Sequence, residues 1–102
     1  MISVRQMCSP NTGNPVANQF IITLNGMRIF QSYKSIIACI GYDGKVTLDS
    51  IYWDYSRTTS KYRNIFLDVD TKTTRANIKS GKYTLANLNN NTLLDNLITT
   101  TI

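Results

Sequence analysis

The chain has 102 residues, with 11 Lys/Arg against six acidic residues and no histidine, a formal net charge of +5. That length fits one domain, and 42% apolar residues suffice for one modest core, which excludes a compositionally disordered chain. All six acids are Asp; the missing His removes the commonest general base and the commonest metal ligand, and Cys8 and Cys39 alone cannot form a metal cage.

Residues 1–17 hold Ser9-Pro10-Asn11 and Gly13-Asn14-Pro15 and read as a flexible N-terminal arm. Gln19 to Leu24, then Asn25-Gly26, then Met27 to Tyr33 predict a β-hairpin, because Asn-Gly supplies the two positive-φ residues of a tight turn. Ile36-Ile37-Ala38-Cys39-Ile40, the Asp43-Gly44 turn and Lys45 to Leu48 predict a second hairpin. Ser32 to Ser35 could instead open a short helix carrying Ile36 and Ile37, and a pattern over so few residues leaves both open.

After Leu48 the period changes. Over Ser56 to Leu67, helical spacing puts Tyr55, Thr58, Thr59, Tyr62, Ile65 and Phe66 on one face and Arg57, Lys61 and Asn64 on the other. Asp54 or Ser56 suits its N-cap. Asp70 suits the N-cap of a second helix, Thr71 to Lys79, which Gly81 closes. That helix has a thin apolar side, Thr71, Thr74 and Ile78, and a basic side, Lys72, Arg75 and Lys79. Tyr83, Leu85 and Leu88 form either a last strand or a docking segment. Residues 90–102 read as a polar linker and a short amphipathic tail. Its Leu93, Leu94, Leu97 and Ile98 could mediate self-association, since so short a helix is not stable alone. The expected fold is therefore α+β: a small antiparallel sheet of two β-hairpins with two short helices packed on it, a single domain over residues 18–89.

The basic excess is local. Residues 57–82 carry a net of +5 and the rest of the chain is neutral. Arg57, Lys61, Arg63, Lys72, Arg75, Lys79 and Lys82 are therefore the candidate binding residues. Several cations on one surface would release counterions from a phosphate backbone, and Tyr52, Trp53 and Tyr55 beside Arg57 suit base stacking. The same cations also suit an acidic protein surface or a plain solvated helix face, and no zinc-finger, aromatic RNA-binding or helix-turn-helix signature accompanies them. Tyr52-Trp53-Asp54-Tyr55 equally suits a core plug at a strand-to-helix junction.

Catalysis has little to work with. Nucleophilic chemistry needs a nucleophile held beside a base, and the chain has neither His nor Glu. Asp68-Val69-Asp70 could hold a divalent cation in an extended loop, but Asp70 as a helix cap accounts for the spacing as well. No phosphate loop, dinucleotide turn or nucleophile elbow is present, so no enzyme, cofactor or metal is expected. The longest purely apolar run, Ile36 to Ile40, is far short of a bilayer span, and the N-terminus lacks a signal-peptide stretch. A cytosolic protein with reduced thiols follows: Cys39 reads as a buried small hydrophobe, and Cys8 has only Arg5 nearby to activate it. The Asn90-Asn91-Thr92 sequon carries little weight without an export signal.

Three segments in this order are similar to a family of small uncharacterised bacteriophage proteins. They are Asn18-Gln19-Phe20 through Phe30-Gln31-Ser32-Tyr33-Lys34-Ser35-Ile36-Ile37-Ala38, then Tyr52-Trp53-Asp54-Tyr55 through Asn64, then Ile78-Lys79-Ser80-Gly81-Lys82-Tyr83 through Asn89. The resemblance spans residues 18–89 and transfers no site residue. It implies a phage-encoded accessory protein in the bacterial host cytoplasm, and the Asn, Lys, Ile, Tyr and Thr bias fits an AT-rich genome. The expected function is non-enzymatic binding that modulates a host or phage protein. The alternative is nucleic-acid binding through the basic patch at residues 57–82.

Overall fold

Four chain reversals shape the sheet in the computed structural model, which describes residues 2–89. Strands β1 (Ile2–Cys8), β2 (Pro15–Leu24), β3 (Met27–Ser32), β4 (Ser35–Ile40) and β5 (Val46–Asp49) are consecutive antiparallel neighbours. Helices α1 (Arg57–Leu67) and α2 (Thr71–Ser80) then carry the chain over the sheet to β6 (Tyr83–Ala86), which pairs parallel to β5. The fold is α+β, but its sheet is six-stranded and mixed rather than two antiparallel hairpins. A parallel last strand needs a long crossover, and the two helices supply it.

Asn25 (φ 49) and Gly26 (φ 85) form the expected turn between β2 and β3. Between β3 and β4 the chain reverses through Tyr33-Lys34, a hairpin the residue types do not announce. The segment over residues 36–40 is a strand. It is buried on both faces, which is why it reads as a continuous apolar run and not as an alternation. Phe30 opposes Ala38 while Gln31 opposes Ile36, so Ile37 is an extra residue in β4. This bulge turns both Ile37 and Ala38 into the same core.

Where a flexible arm was expected over residues 1–17, the structure places β1 and the start of β2. Five of the seven β1 residues are exposed in a row, because an edge strand paired on one side need bury little, and the alternation that reveals a strand is lost. The tail and the glycosylation sequon lie outside the described residues.

The main core lies under the helices: Ile21, Phe30, Ile37, Ala38 and Leu48 from the sheet meet Tyr62 and Phe66 of α1, with Ile78 of α2 and Tyr83 packed alongside. Phe30 and Phe66 stack with ring centroids 5.8 Å apart. Each such fully buried side chain contributes about 1.5–3 kcal/mol. Leu24, Met27, Ile29, Cys39 and Leu88 form a second cluster, on the opposite face of the sheet.

Both helices are capped by their own sequence. Ser56 Oγ accepts from Thr59 N–H at 3.1 Å, and Asp68 closes α1 in a left-handed conformation. Asp70 accepts from Thr73 N–H at 2.7 Å, and Gly81 (φ 84) closes α2. The Asp68-Val69-Asp70 pair is thus divided between a C-cap and an N-cap. Hydrogen bonds from the Thr73 hydroxyl and backbone hold the Asp70 carboxyl below the usual carboxylate range.

Candidate functional site

The seven candidate cations do not share one role. Arg63 is fully buried, contrary to its placement on a binding surface. Its Nη2 donates to Asn64 Oδ1 and Thr71 Oγ1, both at 2.8 Å. Its Nη1 donates to the Trp53 carbonyl and to Asp54 Oδ1, and the guanidinium lies 5.2 Å from the Trp53 ring centroid. Burial pulls the Arg63 pKa down against the opposing pull of Asp54, but a guanidinium stays charged throughout the accessible pH range. Arg63 is a clasp joining α1, the start of α2 and the Trp53-Asp54 turn, and it is closed to any ligand.

The reason is helical phase. Thr59, Tyr62, Arg63 and Phe66 are the buried residues of α1, whereas Ile65 and Thr58 are exposed. The inward face is rotated toward Arg63 from the face that apolarity alone selects. A charged residue at a core position carries no hydrophobic signal, so its burial cannot be read from the pattern.

Arg75 is exposed but ion-paired, its Nη2 lying 2.9 Å from Asp54 Oδ2. Partial burial would raise the Asp54 pKa, yet hydrogen bonds from Ser60, Arg63 and Arg75 outweigh it and hold the carboxyl below its ordinary range. Arg57, Lys61, Lys72, Lys79 and Lys82 are exposed. Lys61 lies 5.6 Å from the Tyr62 ring centroid. Five cations therefore remain exposed and without an ion pair among the described residues, spread over α1, α2 and the turn into β6.

The aromatic cluster also divides. Tyr52 and Trp53 pack against the main core, while Tyr55 turns outward and meets Tyr52 edge-on at 5.6 Å. Tyr55 lines a cleft of about 700 Å³ between the β3–β4 turn and the first turn of α1. Tyr33 and Lys34 form its other wall, and Tyr52 and Ser56 also line it. Tyr33 and Tyr55 are 51% and 67% exposed, so both rings border the opening. At the base, Ser32 Oγ and Thr59 Oγ1 hydrogen-bond at 2.9 Å. Gln19, paired opposite Ser32 in the sheet, is fully buried with neither amide atom hydrogen-bonded.

Backbone strain concentrates here. Tyr33 has φ 56 and Asn18 has φ 68, and Tyr33 N–H donates to the Asn18 carbonyl at 2.7 Å. Asn tolerates the left-handed region, whereas a bulky aromatic there is an outlier. No residue lining the cleft is acidic, Lys34 borders it, and the first turn of α1 has no acid to offset its N-terminal dipole. The cleft thus presents hydroxyls, tyrosine rings and positive potential. Of its features only Tyr52 and Tyr55 were visible as an aromatic cluster. Tyr33 and Asn18 give no local signal, because their significance lies in a backbone conformation that glycine would ordinarily supply.

Residues 2–84 match the profile of a family of unknown function (DUF8033), and the chain belongs to that family. No curated protein and no solved structure matches the chain.

Proposed function

We propose that this protein is a non-enzymatic binding protein that docks an acidic segment of a partner protein in the Tyr33–Tyr55 cleft. The observation that carries this reading is Tyr33, a bulky residue held in a left-handed turn with half its surface exposed at the cleft opening. Such a position is strained and would accept glycine, and a contact made by the exposed ring is what would offset that strain. Exposed tyrosines make productive contact surface at little entropic cost, and Lys34 and the α1 N-terminus favour negative charge opposite them. With neither His nor Glu in the chain, binding needs less chemistry than catalysis does. As an accessory protein of the phage type, it would meet a host or phage protein in the bacterial cytoplasm.

A second reading, nucleic-acid binding, has the exposed Arg57, Lys61, Lys72, Lys79 and Lys82 in its favour. One experiment separates the two. A protein partner co-purified from a bacterial host should be lost with the Tyr33→Ser/Tyr55→Ser double variant and kept with Lys72→Gln/Lys79→Gln. Retention in the tyrosine variant, with salt-steep oligonucleotide binding that weakens in the lysine variant, would overturn the cleft in favour of nucleic acid.

A further inference from the structure

The face of the sheet turned away from the helices is apolar across three adjacent strands. Ile22, Leu24, Met27, Ile29, Ile36 and Cys39 all lie on it. A sheet face left to water alternates polar residues outward, so this one is built to be covered. Its centre is buried: Leu24, Met27 and Ile29 are 3%, 6% and 4% exposed. Strand neighbours shield the flanks of such side chains but not their outer ends. Yet among the described residues Leu88 alone joins this cluster from outside the strands. The cover ends at the margin, where Ile2 and Val4 of β1, paired with Leu24 and Ile22, are 59% and 62% exposed.

After β6 the backbone turns back across the sheet. Leu88 N–H and Asn89 Nδ2 donate to Asp49 Oδ1 at the end of β5, at 2.9 and 3.0 Å. Asn89 Oδ1 accepts from Ile36 N–H at 2.8 Å, and its Nδ2 donates to the Ile36 carbonyl at 3.1 Å, in β4. The chain is thus pinned at β5 and then at β4, with Leu88 seated in the cluster and β3 and β2 next in order.

We infer that residues 90–102 continue this course as a short amphipathic helix that roofs the second cluster, seating Leu93, Leu94, Leu97 and Ile98 on Leu24, Met27 and Ile29. At helical spacing those four tail residues share one face, and Asp95, Asn96 and Thr99 take the other. Thr92, with Asp95 three residues on, makes a capping-box start for it. At about 1.5 Å per residue, a helix from Thr92 to Ile98 covers about 10 Å, or two strand spacings. That carries it from β4 over β3 to β2 and stops short of β1, where the exposure of Ile2 and Val4 begins. So short a helix is not stable alone, and the sheet supplies the burial it lacks. The tail is the fitting occupant because it is tethered at Asn89, beside the cluster, which makes its docking intramolecular. This face lies across the sheet from the helices, and the inference does not depend on the function proposed for the Tyr33–Tyr55 cleft.

Methyl NMR of the full chain reads this packing directly. Nuclear Overhauser contacts are expected from the methyls of Leu93, Leu94, Leu97 or Ile98 to those of Met27 and Ile29 within one chain. Cys39, in the same cluster and 8% exposed, is a built-in reporter. In a Cys8→Ser background, Leu94→Ser/Leu97→Ser should speed Cys39 modification roughly tenfold or more while the protein still unfolds cooperatively. The contacts are read in the unsubstituted chain, so they decide the matter even where the variant fails to fold. Absent contacts, contacts found only between chains in a mixture of differently labelled protein, or a Cys39 rate indifferent to the double substitution would each overturn the inference.

Discussion

Arg63 shows how one side chain can change sides. By charge it belongs to the basic surface. By position on α1 it belongs to the core, where it is held by Trp53, Asp54, Asn64 and Thr71. Arg63→Ala should lower unfolding free energy by about 3 kcal/mol, read as a lower urea midpoint, since it leaves buried partners unsatisfied and a cavity behind. Arg63→Lys should recover little of this, because one ammonium cannot span the same fork of acceptors. Asp54, the partner of both Arg63 and Arg75, has a depressed folded pKa. Its contribution is therefore present above the ordinary Asp pKa of about 3.9 and is lost as pH falls through the lower folded value. Asp54→Asn should weaken the protein at neutral pH and flatten the acid limb of its stability curve, measured by chemical denaturation across pH.

Among the elements, the β3–β4 turn carries the sharpest trade. Tyr33→Gly relieves a left-handed tyrosine and should raise stability by about 1 kcal/mol, seen as a higher thermal midpoint. The same change should weaken partner binding if the ring contacts the partner; unchanged binding would remove Tyr33 from the site. The helices show what local chemistry can announce. Ser56, Asp70 and Gly81 cap as their residue types suggest, because capping is settled by atoms within a few positions of one another. Asn25-Gly26 is legible for the same reason. The β3–β4 turn, β1 and the bulge at Ile37 are not, since each depends on what lies alongside in the sheet.

In the whole molecule, one sheet separates two apolar clusters, and the two cysteines report on it. Cys8 is exposed near the end of the edge strand, while Cys39 is buried in β4. Burial pushes the Cys39 pKa up to about 11. A thiol reagent should modify Cys8 at once in the native protein and Cys39 only as fast as the fold opens. Because the unfolded chain ionises this thiol first, its contribution to stability is present below the ordinary thiol pKa of about 8.5 and fades as pH climbs toward the folded value.

Residue order alone establishes an α+β chain with a central hairpin, two capped helices and a charge excess confined to residues 57–82, since these rest on short-range turn, cap and composition chemistry. It also leaves the protein without His or Glu, which turns attention from catalysis to binding. Folding brings in what is distant in sequence. It buries Arg63, pairs Arg75 with Asp54, and sets Tyr33 across a cleft from Tyr55. It also makes an edge strand of a polar leader. Burial and strand pairing are properties of neighbours many residues away, and no local pattern encodes which neighbour arrives.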